Sequence, residues 1–293
     1  MTASAALRAG FLGLGSMGQP MAAHLADRQL LSTVCNRTTE KAERFVQQYP
    51  RVTLSRTVED LALGVDAIFL CISTDADVLA VIDRLKAVIQ PSQIVIDCST
   101  VSPDTARNAA AQIRTRGAEF IDAPVTGGME GARQGNLSVM AGGSVEAVTR
   151  CRPLFAAFSK QLIHLGPTGS GQAAKAVNQI MCAGINEAVT EALAFASQLG
   201  LDLPKTIDAI RGGAAGNWFL DKRGLSLTQG HFEPGFKLSL HQKDLAICQA
   251  VAKSLGLELP LTQMTQNHYQ TLIDQGFGQE DISALYRLKR PTQ

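Results

Sequence analysis

Three glycines spaced as G-x-G-x-x-G, at Gly13, Gly15 and Gly18, constrain this chain more than any other feature. A short apolar run leads into them through Phe11 and Leu12, and Met21, Leu25 and Leu30 follow at helical spacing. Between a strand and a helix, each glycine has a job. Gly13 allows the tight turn, Gly15 lets the backbone approach a pyrophosphate, and Gly18 lets helix and strand pack closely. The helix start then aims its N–H groups at the phosphates. Gly13, Leu14, Gly15, Ser16, Met17 and Gly18 are therefore the candidate dinucleotide cradle. The competing reading is a tight turn with no ligand.

Residues 32–35 read as the second strand, and the residues after it bear on which dinucleotide is bound. A site for NAD(H) carries Asp or Glu there for the ribose diol; this chain has Asn36, Arg37 and Thr38. No carboxylate repels a 2′-phosphate, and a guanidinium is available to grip it. Such a pair is worth about 1.5–3 kcal/mol, a ten- to hundredfold preference. NADP(H) is expected over NAD(H), unless Arg37 merely caps a surface turn.

Strand-like runs at 67–72, 94–97 and 119–122 alternate with helical segments at 75–88 and 103–115. That alternation predicts an α/β Rossmann-type domain with a mostly parallel sheet and right-handed crossovers. Ligands on such sheets bind at the carboxyl ends of the strands. Those ends carry Cys71, Ile72 and Ser73, then Ser99 and Thr100, then the 124–128 loop. Ser99 and Thr100 also read as an N-cap before Pro103. Thr126, Gly127 and Gly128 offer a hydroxyl and successive unhindered N–H groups, a nest suited to a carboxylate or simply a hairpin turn.

After Gly169, Ser170 and Gly171, an uninterrupted helical pattern runs from Gln172 to Leu199, with Gly200 placed to end it. At 1.5 Å per residue it is roughly 40 Å long, enough to span two domains. Its apolar positions Ile180, Met181, Ile185, Ala188, Val189, Ala192, Leu193, Ala196 and Leu199 predict one buried stripe. Lys175 lies in the first turns with Asn178 a turn further along the same face. Taken alone, Lys175 reads as a solvated lysine on an ordinary helix sooner than as a residue lining a cleft. The domain boundary is expected near 167–171, giving a dinucleotide-binding domain at 1–170 and an all-helical domain at 171–293. In the latter, 204–210, 240–255 and 261–273 keep helical spacing.

Composition excludes several functions. A net charge of +1 and few aromatic residues leave no footprint for nucleic acid. No apolar run reaches membrane-spanning length, and the apolar start is broken by Arg8, so it is not read as a signal peptide. The six cysteines form no C-x-x-C and no ligand cluster with the five histidines, so no metal is expected. Reduced thiols in a soluble, cytoplasmic protein are expected instead.

The stretches from Gly13 to Met21, Asp122 to Gly128, Gly169 to Asn178 and Lys243 to Leu245 resemble, in order and spacing, the β-hydroxyacid dehydrogenase family. That family includes 3-hydroxyisobutyrate dehydrogenase, tartronate semialdehyde reductase and the glyoxylate/succinic semialdehyde reductases. The resemblance covers essentially the whole chain. It implies a Rossmann domain joined by a long helix to an all-helical domain, and hydride transfer between a nicotinamide and a short aldehyde acid. It implies Lys175 as catalytic acid/base, Asn178 orienting substrate, and Thr126, Gly127 and Gly128 holding the carboxylate. Thr100 and Lys243 would touch the cofactor, and Phe236 and Asp244 would line the substrate pocket. A homo-oligomer, dimer or tetramer, is implied too.

Two departures stand out. Thr126 replaces the family's usual serine, and its extra methyl stiffens χ1 and narrows the pocket. Gly127, Gly128, Met129 and Glu130 follow it as in the hydroxyisobutyrate and tartronate branch, whereas Asn36, Arg37 and Thr38 look like the NADPH-using reductase branch. The alternatives are a non-catalytic dinucleotide-binding module, which should have lost the lysine, and a dehydrogenase working on 3-hydroxyisobutyrate or serine. A 6-phosphogluconate dehydrogenase has a larger helical domain, and an imine reductase usually carries another residue at position 175. Asn217 and Trp218 suit either a pocket lid or a packing role, and Asp281 to Leu285 resembles the family's closing segment.

Overall fold

The computed structural model describes residues 7–290, so residues 1–6 of the apolar start lie outside the described residues. The chain divides into two compact units, Met1–Lys175 and Ala176–Gln293.

The first unit is built on strands β1 (Ala9–Leu12), β2 (Leu31–Cys35), β3 (Thr53–Leu54), β4 (Ala67–Leu70), β5 (Ile94–Asp97), β6 (Glu119–Asp122), β7 (Val125–Thr126), β8 (Leu137–Gly142) and β9 (Ser159–Gly166). Helices α1 (Gly18–Asp27), α2 (Thr39–Gln48), α3 (Val58–Leu61), α4 (Asp75–Val88), α5 (Pro103–Arg114), α6 (Gly128–Gln134) and α7 (Val145–Phe155) connect them. The sheet runs β3-β2-β1-β4-β5-β6-β8-β7, with β9 paired to β8. From β3 to β6 every pairing is parallel. The winding reverses at β1, which pairs with both β2 and β4, and ligands of such sheets bind at that switch. β8 then runs antiparallel to β6 and β7.

Alternation along the strands feeds two cores. In β4, Ala67 and Phe69 pack on one face while Ile68 and Leu70 pack on the other. Phe69 meets the rings of Phe155 and Phe158 edge-on at 6.0 and 5.8 Å, a favoured aromatic geometry. The expected N-cap before Pro103 is corrected: Ser102 caps α5, its Oγ accepting from Thr105 N at 3.0 Å. Ser99 Oγ instead accepts from Ile72 N at 3.0 Å, tying β5 to the end of β4.

Helix α8 (Ser170–Gln198) contributes Ser170–Lys175 to the first unit and its remainder to the second. It starts two residues before the expected Gln172, so Gly171 lies inside the helix rather than breaking the chain. The expected apolar stripe is also corrected. Met181 and Leu199 are 61% and 59% exposed, and Ala188 and Ala192 are exposed as well. The buried side carries Gln179, Asn186, Glu187 and Thr190 beside Ala183, Val189 and Leu193. Hydrogen bonds explain the polar burial: Asn186 Nδ2 donates to Tyr269 OH at 2.9 Å and to Ile282 O at 2.8 Å.

The second unit continues with α9 (Leu203–Arg211), α10 (Trp218–Thr228), α11 (Leu238–Ser254), α12 (Pro260–Asp274), a 3-10 turn at Ile282–Leu285 and α13 (Tyr286–Lys289). Asn217 caps α10, accepting from Leu220 N at 2.8 Å, while Trp218 stays half-exposed under the Arg223 guanidinium. Asp281, buried before the 3-10 turn, accepts from Gly235 N and Phe236 N.

Candidate active site

The glycine turn separates into positions the protein demands and one it does not. Gly13 has φ of +100°, and a Cβ there would overlap Cys71 O; a Cβ at Gly18 would overlap Gly13 O. A Cβ on Gly15 would meet nothing within 4 Å. Packing therefore explains two glycines, and room beside the backbone is what the third keeps. Ser16 is exposed, Met17 half-buried, and the N-terminus of α1 has no side-chain cap, leaving its N–H groups for an anion. These residues fit a bound pyrophosphate.

Asn36 and Arg37 divide their labour. Asn36 Oδ1 accepts from Leu14 N at 2.7 Å and its Nδ2 donates to Thr38 O at 2.8 Å, so this side chain braces the glycine turn against the end of β2. Arg37 is exposed and makes no hydrogen bond or ion pair with a described residue. It caps no turn. Thr38, also exposed, precedes α2 without a side-chain cap bond.

At the neighbouring strand ends, Cys71 and Ile72 are half-buried and Ser73 exposed. Burial pushes the Cys71 thiol up to about 12, with the Asp97 carboxylate adding to the effect, which disfavours the reactive thiolate. Asp97, at the end of β5, is fully buried; Oδ1 accepts from Ser99 N at 3.0 Å and Oδ2 has no hydrogen-bond partner among the described residues. Burial raises it to about 7 against the pull of its bonds from Ser99. Thr100 stands half-buried just beyond.

Lys175 is only 8% exposed, and its Nζ donates to Val125 O at 2.9 Å. That carbonyl immediately precedes Thr126, which is half-buried, and Gly127 and Gly128, whose φ values are +130° and +65°. The lysine and the carboxylate-loop candidates are thus brought together within the first unit. Two residues to which the sequence reading gave no role of their own arrange this. Asp122 caps α8, its Oδ1 accepting from Gly169 N at 2.8 Å and its Oδ2 from Gln172 N at 2.9 Å. Gln172 Nε2 donates to Ser99 O at 2.7 Å and its Oε1 accepts from Val101 N at 3.2 Å, gripping the chain on both sides of Thr100. The available signal was a carboxylate at a strand end and a glutamine three residues before the lysine.

In the second unit, the remaining candidates gather on Gln179, another residue not singled out from sequence. Gln179 Oε1 accepts from Asn178 Nδ2 at 2.7 Å, and Nε2 donates to Asp244 Oδ2 at 2.6 Å. Lys243 Nζ pairs with Asp244 Oδ1 at 3.0 Å. His241 Nε2 donates to Gln179 O at 3.2 Å, and its ring lies 5.2 Å from that of Phe236. Because Gln179 O can only accept, Nε2 carries the hydrogen, and in the neutral ring Nδ1 accepts from Tyr269 OH at 3.0 Å. Among the described residues no group of three or more His, Cys, Asp or Glu could hold a metal ion.

Two family descriptions match this architecture end to end. The NAD binding domain of 6-phosphogluconate dehydrogenase matches residues 8–166, and the NAD-binding domain of NADP-dependent 3-hydroxyisobutyrate dehydrogenase matches residues 169–289. The chain belongs to the β-hydroxyacid dehydrogenase family. Among β-hydroxyacid dehydrogenase relatives, it is 37% identical to 2-hydroxy-3-oxopropionate reductase of Escherichia coli over 95% of this chain and 96% of that one. It is 32% identical to the NAD-dependent L-serine dehydrogenase of Pseudomonas aeruginosa over 97% and 98%. The solved Mycobacterium tuberculosis 3-hydroxyisobutyrate dehydrogenase with L-serine superimposes with a TM-score of 0.88 at 28% identity, covering 97% of this chain and 99% of the other.

Proposed function

We propose that this β-hydroxyacid dehydrogenase interconverts a short-chain aldehyde acid, a semialdehyde or glyoxylate, and its hydroxy acid, using NADP(H) in preference to NAD(H). Residues 1–170 form the dinucleotide-binding part and 171–293 the helical part in this reading. The observation that carries it is Lys175: a buried ammonium 2.9 Å from the carbonyl of Val125, the residue that precedes Thr126.

Gly13–Gly18 would hold the pyrophosphate and Arg37 the 2′-phosphate, with residues 71–73, Thr100 and Lys243 serving the rest of the dinucleotide. Bound there, the nicotinamide supplies hydride in reduction and takes it up in oxidation. Thr126 Oγ1 and the N–H groups of Gly127 and Gly128 bind the substrate carboxylate, and Asn178 orients the substrate beside Phe236 and Asp244. In reduction the carbonyl oxygen gains negative charge as its carbon accepts hydride. Lys175 stabilises that charge and gives it a proton, leaving a hydroxyl group and a neutral amine that solvent reprotonates. An ammonium has three donors, so one can hold it to Val125 O while another serves the substrate. Positioned proton transfer of this kind contributes roughly a hundred- to ten-thousandfold.

The oxidative direction, on serine or 3-hydroxyisobutyrate, has support in the relative named NAD-dependent L-serine dehydrogenase. The same proposal includes a cytoplasmic homo-oligomer. The exposed Met181 and Phe195 of α8 favour the oligomer, and among the described residues no helix is long and apolar enough to cross a membrane. The decisive experiment is an initial-rate panel. Glyoxylate and succinic, tartronate and methylmalonate semialdehydes are offered with NADPH and NADH, and serine and 3-hydroxyisobutyrate with the oxidised forms. Turnover of at least one acid supports the proposal; none, from protein that binds NADPH, overturns it.

A further inference from the structure

Asp122 and Lys175 belong to one two-rung arrangement. The lower rung joins Asp122 to Gln172 N, and the upper rung joins Val125 O to Lys175 Nζ, three residues further along both segments. Three residues of extended strand cover about 10 Å, whereas three of α-helix rise about 4.5 Å. Between the two rungs the strand is interrupted: β6 ends at Asp122, and β7 begins at Val125 after Ala123 and Pro124.

The lower rung is built to tight tolerance. Asp122 is fully buried, and a Cβ on Gly142 of β8 would stand 2.5 Å from its Oδ1. A Cβ on Gly171 would stand 2.9 Å from its Oδ2 and overlap Met140 O. The carboxylate therefore occupies a slot that two glycines leave open, with both oxygens committed to the start of α8.

We infer that Asp122 is a positioning residue for hydride transfer: by anchoring the first turn of α8 it sets the depth of Lys175 against the Thr126 loop. This rests on the acid/base reading of Lys175 above. A plain helix cap would support folding and leave the rate constant alone. A positioning residue also governs where the ammonium sits when substrate is bound.

Asp122→Asn separates the two roles. The side chain keeps its size, but an amide offers one acceptor where two N–H groups must be met, so a donor faces a donor at Gly169 or Gln172. The expected result is a kcat at least tenfold lower, with NADPH affinity and substrate KM within about twofold of the parent enzyme. The limb of the kcat–pH profile that reports the protonated lysine should also move to lower pH, because a negative charge one helical turn away is gone. Gly142→Ala, which crowds the same carboxylate from β8, should lower kcat in the same manner. A normal kcat with an unmoved pH limb in Asp122→Asn overturns the inference, as does a loss wholly matched by weaker NADPH binding. If Lys175→Ala is inactive while Asp122→Asn is normal, only this inference fails. If Lys175→Ala retains its rate, the acid/base reading fails and this one with it.

Discussion

Asp97 and Asp122 hold the same register on the neighbouring parallel strands β5 and β6, and both are fully buried, yet their carboxylates meet different surroundings. Asp122 spends both oxygens on the N–H groups that open α8, whereas one oxygen of Asp97 finds no hydrogen bond among the described residues. Burial raises both, and the less satisfied Asp97 reaches about 7. The strand ends beneath Thr100 and Lys175 thus carry one matched charge and one that favours its proton.

That difference has a signature in stability. An aspartate at about 7 in the folded chain and near 3.9 when unfolded binds its proton more tightly in the fold. The contribution of the protonated form is complete below about pH 4 and is lost as pH rises through about 7. Asp97→Asn keeps the oxygen that accepts from Ser99 N and removes the titration. The melting temperature of the variant minus that of the parent should therefore be more positive at pH 8 than at pH 4. A difference independent of pH would contradict the raised affinity for protons.

Lys175→Ala should bind NADPH with nearly unchanged affinity, measured by nucleotide fluorescence, while kcat on the best substrate falls roughly a hundred- to ten-thousandfold. Near-normal turnover would remove the lysine from the chemistry.

The glycine turn offers a contrast between neighbours. Gly18→Ala puts a methyl into Gly13 O, so the melting temperature should fall sharply with or without cofactor. Gly15→Ala meets no protein atom within 4 Å, so the apo melting temperature should hold while NADPH affinity drops at least tenfold. Unchanged affinity in Gly15→Ala would show that the pyrophosphate lies elsewhere.

Arg37→Ala should narrow the NADPH to NADH ratio of kcat/KM by roughly ten- to a hundredfold, the worth of one charge-assisted pair. Because Arg37 has no ion pair or hydrogen bond with a described residue, stability should be unaffected. An unchanged ratio would assign the phosphate to another group.

The first unit was legible because its signals are local. Glycine spacing, alternating elements and caps gave α4 and β5 at their observed bounds and brought Lys175 and Thr126 into view. The sequence was less informative where stability comes from long-range polar pairs. Apolar periodicity on α8 pointed partly to the wrong face, since Met181 and Leu199 face outward while Gln179, Asn186 and Glu187 are buried with partners on other segments. No spacing rule anticipates that Asp122 finds Gly169 N or that Gln172 finds Ser99 O, because each pair closes only when distant segments meet. Helix α10 went unread because glycines at 212, 213 and 216 precede it and Gly224 interrupts its pattern.

The two rungs between the β6–β7 stretch and the start of α8 also bear on motion. The Lys175 amine and the Thr126 loop are fastened to one short piece of backbone, so a displacement of that stretch carries both the same way. In the proposed reaction, the spacing between proton donor and acid-holding loop would then be set by this one stretch of chain.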